Sequence, residues 1–139
     1  MTTPQSQDQL DFTVETLKNT GEGIEEFRKT FTKASDAFED GRDSEGFQTI
    51  RDIHPHLQEF ANFCGTLRTQ CENWLSEDDL RGLDDLNQKF SQCLTTLIEA
   101  MENGDVLEIA DLLRADLSEI IGNYNAVFSD IRDKLTSRK

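Results

Sequence analysis

The sequence predicts an all-α protein, folded as one up-down-up-down bundle of about four long antiparallel helices. Three observations predict it. Apolar residues recur in steps of four and three along nearly the whole chain, the spacing of a single helix face. Only 2 prolines and 8 glycines occur among 139 residues, too few to turn an all-β chain about every ten residues. Charged residues make up 30% of the chain against 35% apolar ones, the balance of long helices that bury a narrow stripe and wet the rest. One domain with one core is expected at this length. Residues 1–8 read as a polar, frayed lead-in and residues 9–139 as the bundle.

The first helical seam runs Leu10, Val14, Leu17, Gly21, Ile24, Arg28, Phe31, Ser35 and Phe38, widened by Phe27 and Ala34. Gly21 and Gly23 inside it each cost roughly 1 kcal/mol relative to alanine, and they mark the place for a bend or a close helix contact. Gly41 supplies the stop. The second helix should start at Asp43 or Ser44, either of which can cap an orphan N–H. Its seam is Phe47, Ile50, His54, Leu57, Ala61, Cys64, Arg68, Cys71 and Leu75. Pro55 lies in the middle, removes one backbone bond, and should kink the helix or split it into two pieces.

Ser76 with Asp79 makes a capping-box-like start for the third helix. Its apolar face is Leu80, Leu83, Leu86, Phe90, Leu94, Leu97, Ile98 and Met101, and Gly104 ends it. Asp105 with Glu108 is a second capping box and opens the fourth helix, carrying Val106, Ile109, Leu113, Leu117, Ile120, Tyr124, Val127, Ile131 and Leu135. Arg132, Lys134, Arg138 and Lys139 close it, where cations complement the negative end of the helix dipole. Connections of about two to four residues force successive helices to run antiparallel.

An internal echo accompanies this plan. Phe27, Ala37, Glu39, Gly41, Glu45 and Arg51 match Phe90, Ala100, Glu102, Gly104, Glu108 and Arg114 at one constant spacing. Phe31 with Leu94 and Ile50 with Leu113 are apolar pairs at the same spacing. A duplicated helical hairpin gives this pattern, and so does chance similarity between two amphipathic hairpins.

The formal charge of −14 repels phosphate backbones, so nucleic acid is an unfavourable partner, as are anionic membranes. The first residues have neither a charged nor an apolar signal region, and no apolar run approaches the 18 residues of a membrane span. Three cysteines, Cys64, Cys71 and Cys93, are an odd number without CxxC spacing, which argues against a disulfide framework. Together these features point to the cytoplasm.

Chemistry-bearing residues are sparse. His54 and His56 are two apart, so on a helix they point about 200° from each other and cannot share a metal. Neither follows a Glu at the Glu-x-x-His spacing of di-iron bundles. A bundle with a histidine on its second helix resembles histidine phosphotransfer domains, which implies a phosphorelay through His54 or His56. That family places a lysine and a glycine one turn after the histidine, whereas here Leu57 and Gln58 follow His54, and Glu59 and Phe60 follow His56. Cys64 and Cys71 lie about 10 Å apart along one helix face, too far for a disulfide, and read as small apolar core residues. Glu77, Asp78, Asp79, Asp84 and Asp85 lack calcium-loop spacing and suit a first helical turn. No catalytic residue, cofactor site or metal site is expected, and the chain reads as a non-enzyme.

One local stretch carries a further resemblance. Ile98-Glu-Ala-Met-Glu-Asn-Gly-Asp105, followed by Ile109-Ala-Asp-Leu-Leu113, resembles a helix–Gly–Asp–helix turn in small uncharacterised bacterial helical proteins. More loosely, it is similar to the matching turn of flagellar and type III export chaperones. The resemblance implies a bacterial, chaperone-like or accessory binding protein.

The expected function is therefore protein binding. Phe12, Phe60, Phe63 and Trp74 are the candidates for apolar surface left over after four helices pack. Phe60, Phe63 and Trp74, on the second helix, are the partner-binding residues. The partner is another protein, basic or presenting an amphipathic helix. The alternatives are the phosphorelay protein and a purely structural homodimer.

Overall fold

A computed structural model describes residues 4–137, with side chains from residue 7. The bundle is all-α, with no strand among the described residues. Its helices are α1 (Pro4–Lys18), α2 (Thr20–Glu39), α3 (Asp43–Cys71), α4 (Glu77–Asn103), α5 (Val106–Asp111) and α6 (Ser118–Thr136). A π-helical segment, Leu112–Leu117, joins α5 to α6. α2 packs on α3 and α6, α4 packs on the same two, and α1 packs on α6. The four seams thus close into a ring around one core.

Helix α1 begins at Pro4, so most of the lead-in expected to fray is helical; residues 1–3 lie outside the described residues. The first seam is interrupted, but at Asn19 rather than at the glycines. The Asn19 N–H bonds the Thr16 carbonyl three residues back, and Gly21 and Gly23 continue α2. The start of α3 also differs from expectation. Arg42 occupies the N-cap position without a side-chain bond, and Asp43 is already helical. The Arg42 N–H is instead turned back to the Ala37 carbonyl at 2.8 Å, and its guanidinium pairs with Asp40 and Glu45. Pro55 does not split α3, which runs unbroken from Asp43 to Cys71. Ser76 and Asp79 form the full reciprocal capping box, while Asp105 accepts from the Glu108 N–H at 3.1 Å. Of the four closing cations, Arg138 and Lys139 lie outside the described residues.

The two corners repeat each other in detail. Gly41 and Gly104 both take positive φ, 78° and 65°, the left-handed turn that glycine adopts without steric cost. Arg42 N–H bonds Ala37 O at 2.8 Å, and Asp105 N–H bonds Ala100 O at 2.9 Å. The sequence echo stops at Arg51 and Arg114 because the second helix pair carries one extra residue there. The π segment absorbs it. Beyond that point Leu57, Cys64, Leu67 and Cys71 of α3 are buried where Ile121, Phe128, Ile131 and Leu135 of α6 are buried, one residue further on.

Half-buried at the edge of the core, Phe60 meets the rings of Phe27, Phe63, Phe90, Tyr124 and Phe128 at centroid distances between 5.1 and 6.3 Å. Edge-on contacts of this kind add to plain apolar burial. The fully buried Tyr124 donates its hydroxyl proton to Asn87 Oδ1 at 2.7 Å, so its burial leaves no unmet donor.

Candidate functional site: a charge-poor groove beside helix α3

The 3.6-residue period decides which face of α1 is hidden. Leu10, Val14 and Leu17 are buried, while Gln9, Phe12 and Thr16 fall on the flank. Helix α1 leans on α6 and stands off from α3, leaving a recess of about 590 Å³ walled by Phe12, Thr13 and Thr16 on one side and Phe63, Thr66 and Leu67 on the other. Phe12 is 73% exposed at its edge. A second recess of about 390 Å³ shares Thr16 and Phe63 with the first and continues past Asn19, Gly23, Phe27 and Phe60. A third, about 280 Å³, shares Gly23 and Phe27 and ends at Ile53 and His56. The three run end to end as one groove between α1–α2 and α3.

Its lining is unusual for this chain. Asp8 and Glu26 are the only Asp, Glu, Lys or Arg side chains along the three recesses, in a protein that is 30% charged. Polar lining residues are largely threonines bonded to their own helices. Thr13 donates to Gln9 O at 2.9 Å, Thr16 to Phe12 O at 2.8 Å, Thr20 to Leu17 O at 2.9 Å and Thr30 to Glu26 O at 3.0 Å. With those hydroxyls engaged, their methyl groups are the free ends. The groove can therefore bury apolar surface with little polar desolvation.

The structure brings Phe60 and Phe63 together on the groove floor, with Phe12 on the rim. Trp74 is not with them; it lies half-buried in the turn after α3, where its N–H bonds Cys71 O at 3.0 Å. Leu107, 79% exposed on α5, is an apolar surface residue that the seam analysis passed over. The signal that could have revealed the groove is a stripe, Gln9, Phe12, Thr16, Asn19 and Gly23, stepping by three and four without a charge.

The other candidates for chemistry fare differently. His54 Nε2 is buried and has no hydrogen-bond partner, so that nitrogen is out of reach of an incoming phosphoryl group. His56 is exposed, with Nδ1 at 3.9 Å from Glu59. The three cysteines are free and buried. Burial pushes the Cys64 thiol up to about 12 and the Cys71 and Cys93 thiols up to about 11, the opposite of nucleophile activation. A recess of about 430 Å³ beside the π segment gathers Arg28, Lys29 and Arg114. Each cation faces a carboxylate, from Glu25, Glu26 and Glu39 respectively, so the cluster carries no net charge. Among the described residues no group of His, Cys, Asp and Glu is placed to hold a metal ion, and no helix is long and apolar enough to cross a membrane.

Fold and groove define a helical-bundle domain with an apolar, charge-poor trough beside α3. Residues 15–127 match the family described as Domain of unknown function (DUF8042), and this chain belongs to that family. No curated protein and no solved structure matches it. The matched span contains the α3 wall of the groove with Phe60 and Phe63, whereas Phe12 precedes it.

Proposed function

We propose that this protein is a non-enzymatic, chaperone-like or accessory binding module, working in the cytoplasm, that receives an amphipathic helix in the groove beside α3. The observation that carries the reading is the continuous, charge-poor trough with Phe12 exposed at its rim and Phe63 on its floor. Helix-in-groove recognition reads apolar anchors at i, i+3, i+4 and i+7, and a trough walled from residue 9 to residue 30 is about 30 Å long at 1.5 Å per residue. That is room for several such anchors. Interface centres are depleted in charge relative to the rest of a protein surface, as this lining is. The acidic shell of net charge −14 steers a basic partner toward the trough at low salt. Phosphotransfer has less support, since the Nε2 atom of His54 is buried.

The test is a photo-crosslinking residue placed at Thr66, exposed on the α3 wall, followed by mass spectrometry of the trapped species. Phe12→Asp should abolish the crosslink, and Leu107→Asp, on a different helix, should leave it. Equal crosslinking in both variants would rule out the groove.

A further inference from the structure

We infer that the occupant of this groove is a second copy of the same chain, packed about a two-fold axis through the Phe12–Phe63 region. The inference rests on the groove-binding reading above and puts a second copy in the place given there to a basic partner's helix. Charge complementarity carries it. Two bodies of charge −14 repel each other over most of their surfaces, and they can approach closely only where neither carries charge. The trough comes nearest to such a face: of its lining side chains only Asp8 and Glu26 are charged, and Glu26 is paired with Lys29. No lysine or arginine lines it for an acidic partner to meet, and a basic partner would meet only Asp8 and the Lys29-paired Glu26. A neutral, self-complementary face fits a second copy. Phe12 supplies the knob and the recess of about 590 Å³ supplies the hole, and a two-fold axis presents each knob to the other copy's hole. Contact over about 30 Å of length and two helix widths covers about 600 Å² per copy, the lower end of stable interfaces.

Like-charged bodies joined through a neutral face predict a particular salt response. Screening weakens the repulsion and leaves the apolar contact, so the dimer should tighten as salt rises. A basic partner drawn in by the acidic shell would loosen instead.

Sedimentation velocity of the full chain, across concentration and at low and high sodium chloride, reads this directly. The expected result is a monomer–dimer equilibrium that tightens with salt. Phe12→Asp should weaken it about tenfold or more, Thr66→Asp should act in the same direction, and Leu107→Asp should leave it unchanged. Both groove positions are exposed, and circular dichroism checks that the variants keep their helices. A monomer at every concentration and salt overturns the inference, as does a dimer that Phe12→Asp and Thr66→Asp leave intact. If the chain is monomeric yet a Thr66 crosslink still traps a different protein in a Phe12-dependent way, the second-copy inference alone falls. Absence of both dimer and crosslink removes the groove reading with it.

Discussion

The seam between α1–α2 and α3 and the seam between α4 and α6 occupy corresponding places in the two helix pairs; the first is open along three joined recesses, whereas the second is shut except for one recess of about 370 Å³ beside Cys93 and Asp116. In the open seam Thr16 faces toward Gln70 across the recess. Their counterparts are Asp79 and Lys134, whose charged atoms lie 3.7 Å apart. Thr20 and Gly23 of the open seam correspond to Leu83 and Leu86, both buried. Phe63 corresponds to Val127, whose methyl sits 3.8 Å from where a Cβ on Gly82 would be. A shared backbone plan has thus been closed on one side with leucines and an ion pair. On the other it has been left open with threonine, glycine and glutamine. The difference lies in side-chain volume and charge and in the placement of α1, which leans on α6 and stands off from α3.

The extra residue of the π segment offers the strongest way to break this comparison. Deleting one residue from a regular helix rotates everything beyond it by about 100° and carries the buried face to solvent. Deleting Asn62 from α3 should therefore abolish cooperative unfolding in urea. Deleting Ala115, exposed within the π segment, should convert it to α-helix with the α6 face still turned inward, as α3 manages without the insertion. Loss of cooperativity in both deletions would mean that the two pairs are not in register as described.

Substitution at corresponding aromatic positions comes next in size. Phe128, buried against Phe60, Phe63 and Tyr124, should lose about 3–5 kcal/mol of stability on replacement by alanine. Phe63, half-buried on the groove floor, should lose about half as much, since much of its surface is already wet. Urea denaturation at neutral pH measures both. Equal losses would place Phe63 in the core and shut the groove.

Much of this plan was legible beforehand. The seams located most of the buried faces, and Gly41, Ser76 and Gly104 located three corners, because periodicity and cap chemistry are local properties; the fourth seam named Ile120 and Val127 where α6 buries Ile121 and Phe128. The π segment was not legible, since an inserted residue leaves the apolar pattern plausible at each step and betrays itself only where the echo stops at Arg114. Nor was the open seam. How far α1 stands from α3 depends on what α1 finds on α6, a tertiary outcome that no local window contains. Trp74 was misplaced for a related reason: the α3 period extended to Leu75 on paper, but the helix ends at Cys71.

The comparison also has a pH signature, because α3 puts Cys64 and Cys71 where α6 puts Phe128 and Leu135. Burial raises these thiols to about 12 and about 11, above the ordinary value of 9.0, so the folded protein holds protons that the unfolded chain releases. Their contribution is complete below about pH 9 and falls away as pH climbs toward the raised values. Urea midpoints should accordingly drop between pH 8 and pH 10.5. A Cys64→Ala, Cys71→Ala variant should start lower and fall less steeply; an equal slope would assign the alkaline loss to other groups. Thiol labelling of the folded protein at neutral pH should be slow for the same reason.

The smallest expected effect sits at Gly23, where the open and shut seams differ by a single side chain from Leu86. A Cβ built on Gly23 meets nothing within 4 Å, and glycine within a helix costs about 0.5–1 kcal/mol relative to alanine. Gly23→Ala should therefore stabilise the protein by about that amount, read as a small rise in the urea midpoint. Gly46 is the control, since its Cβ would lie 2.7 Å from the Phe38 ring and Gly46→Ala should destabilise. Gly23→Leu goes further and places in the open seam the residue that helps to fill the shut one. Stability should hold or rise as the leucine covers Phe27 and Phe60, while occupancy of the groove falls because its middle is filled. If Gly23→Leu destabilises the fold, the space above Gly23 is narrower than described and the two seams differ less than argued. If it stabilises the fold and crosslinking from Thr66 is unchanged, the occupant sits only at the Phe12 end, and the groove's working length is the first recess alone.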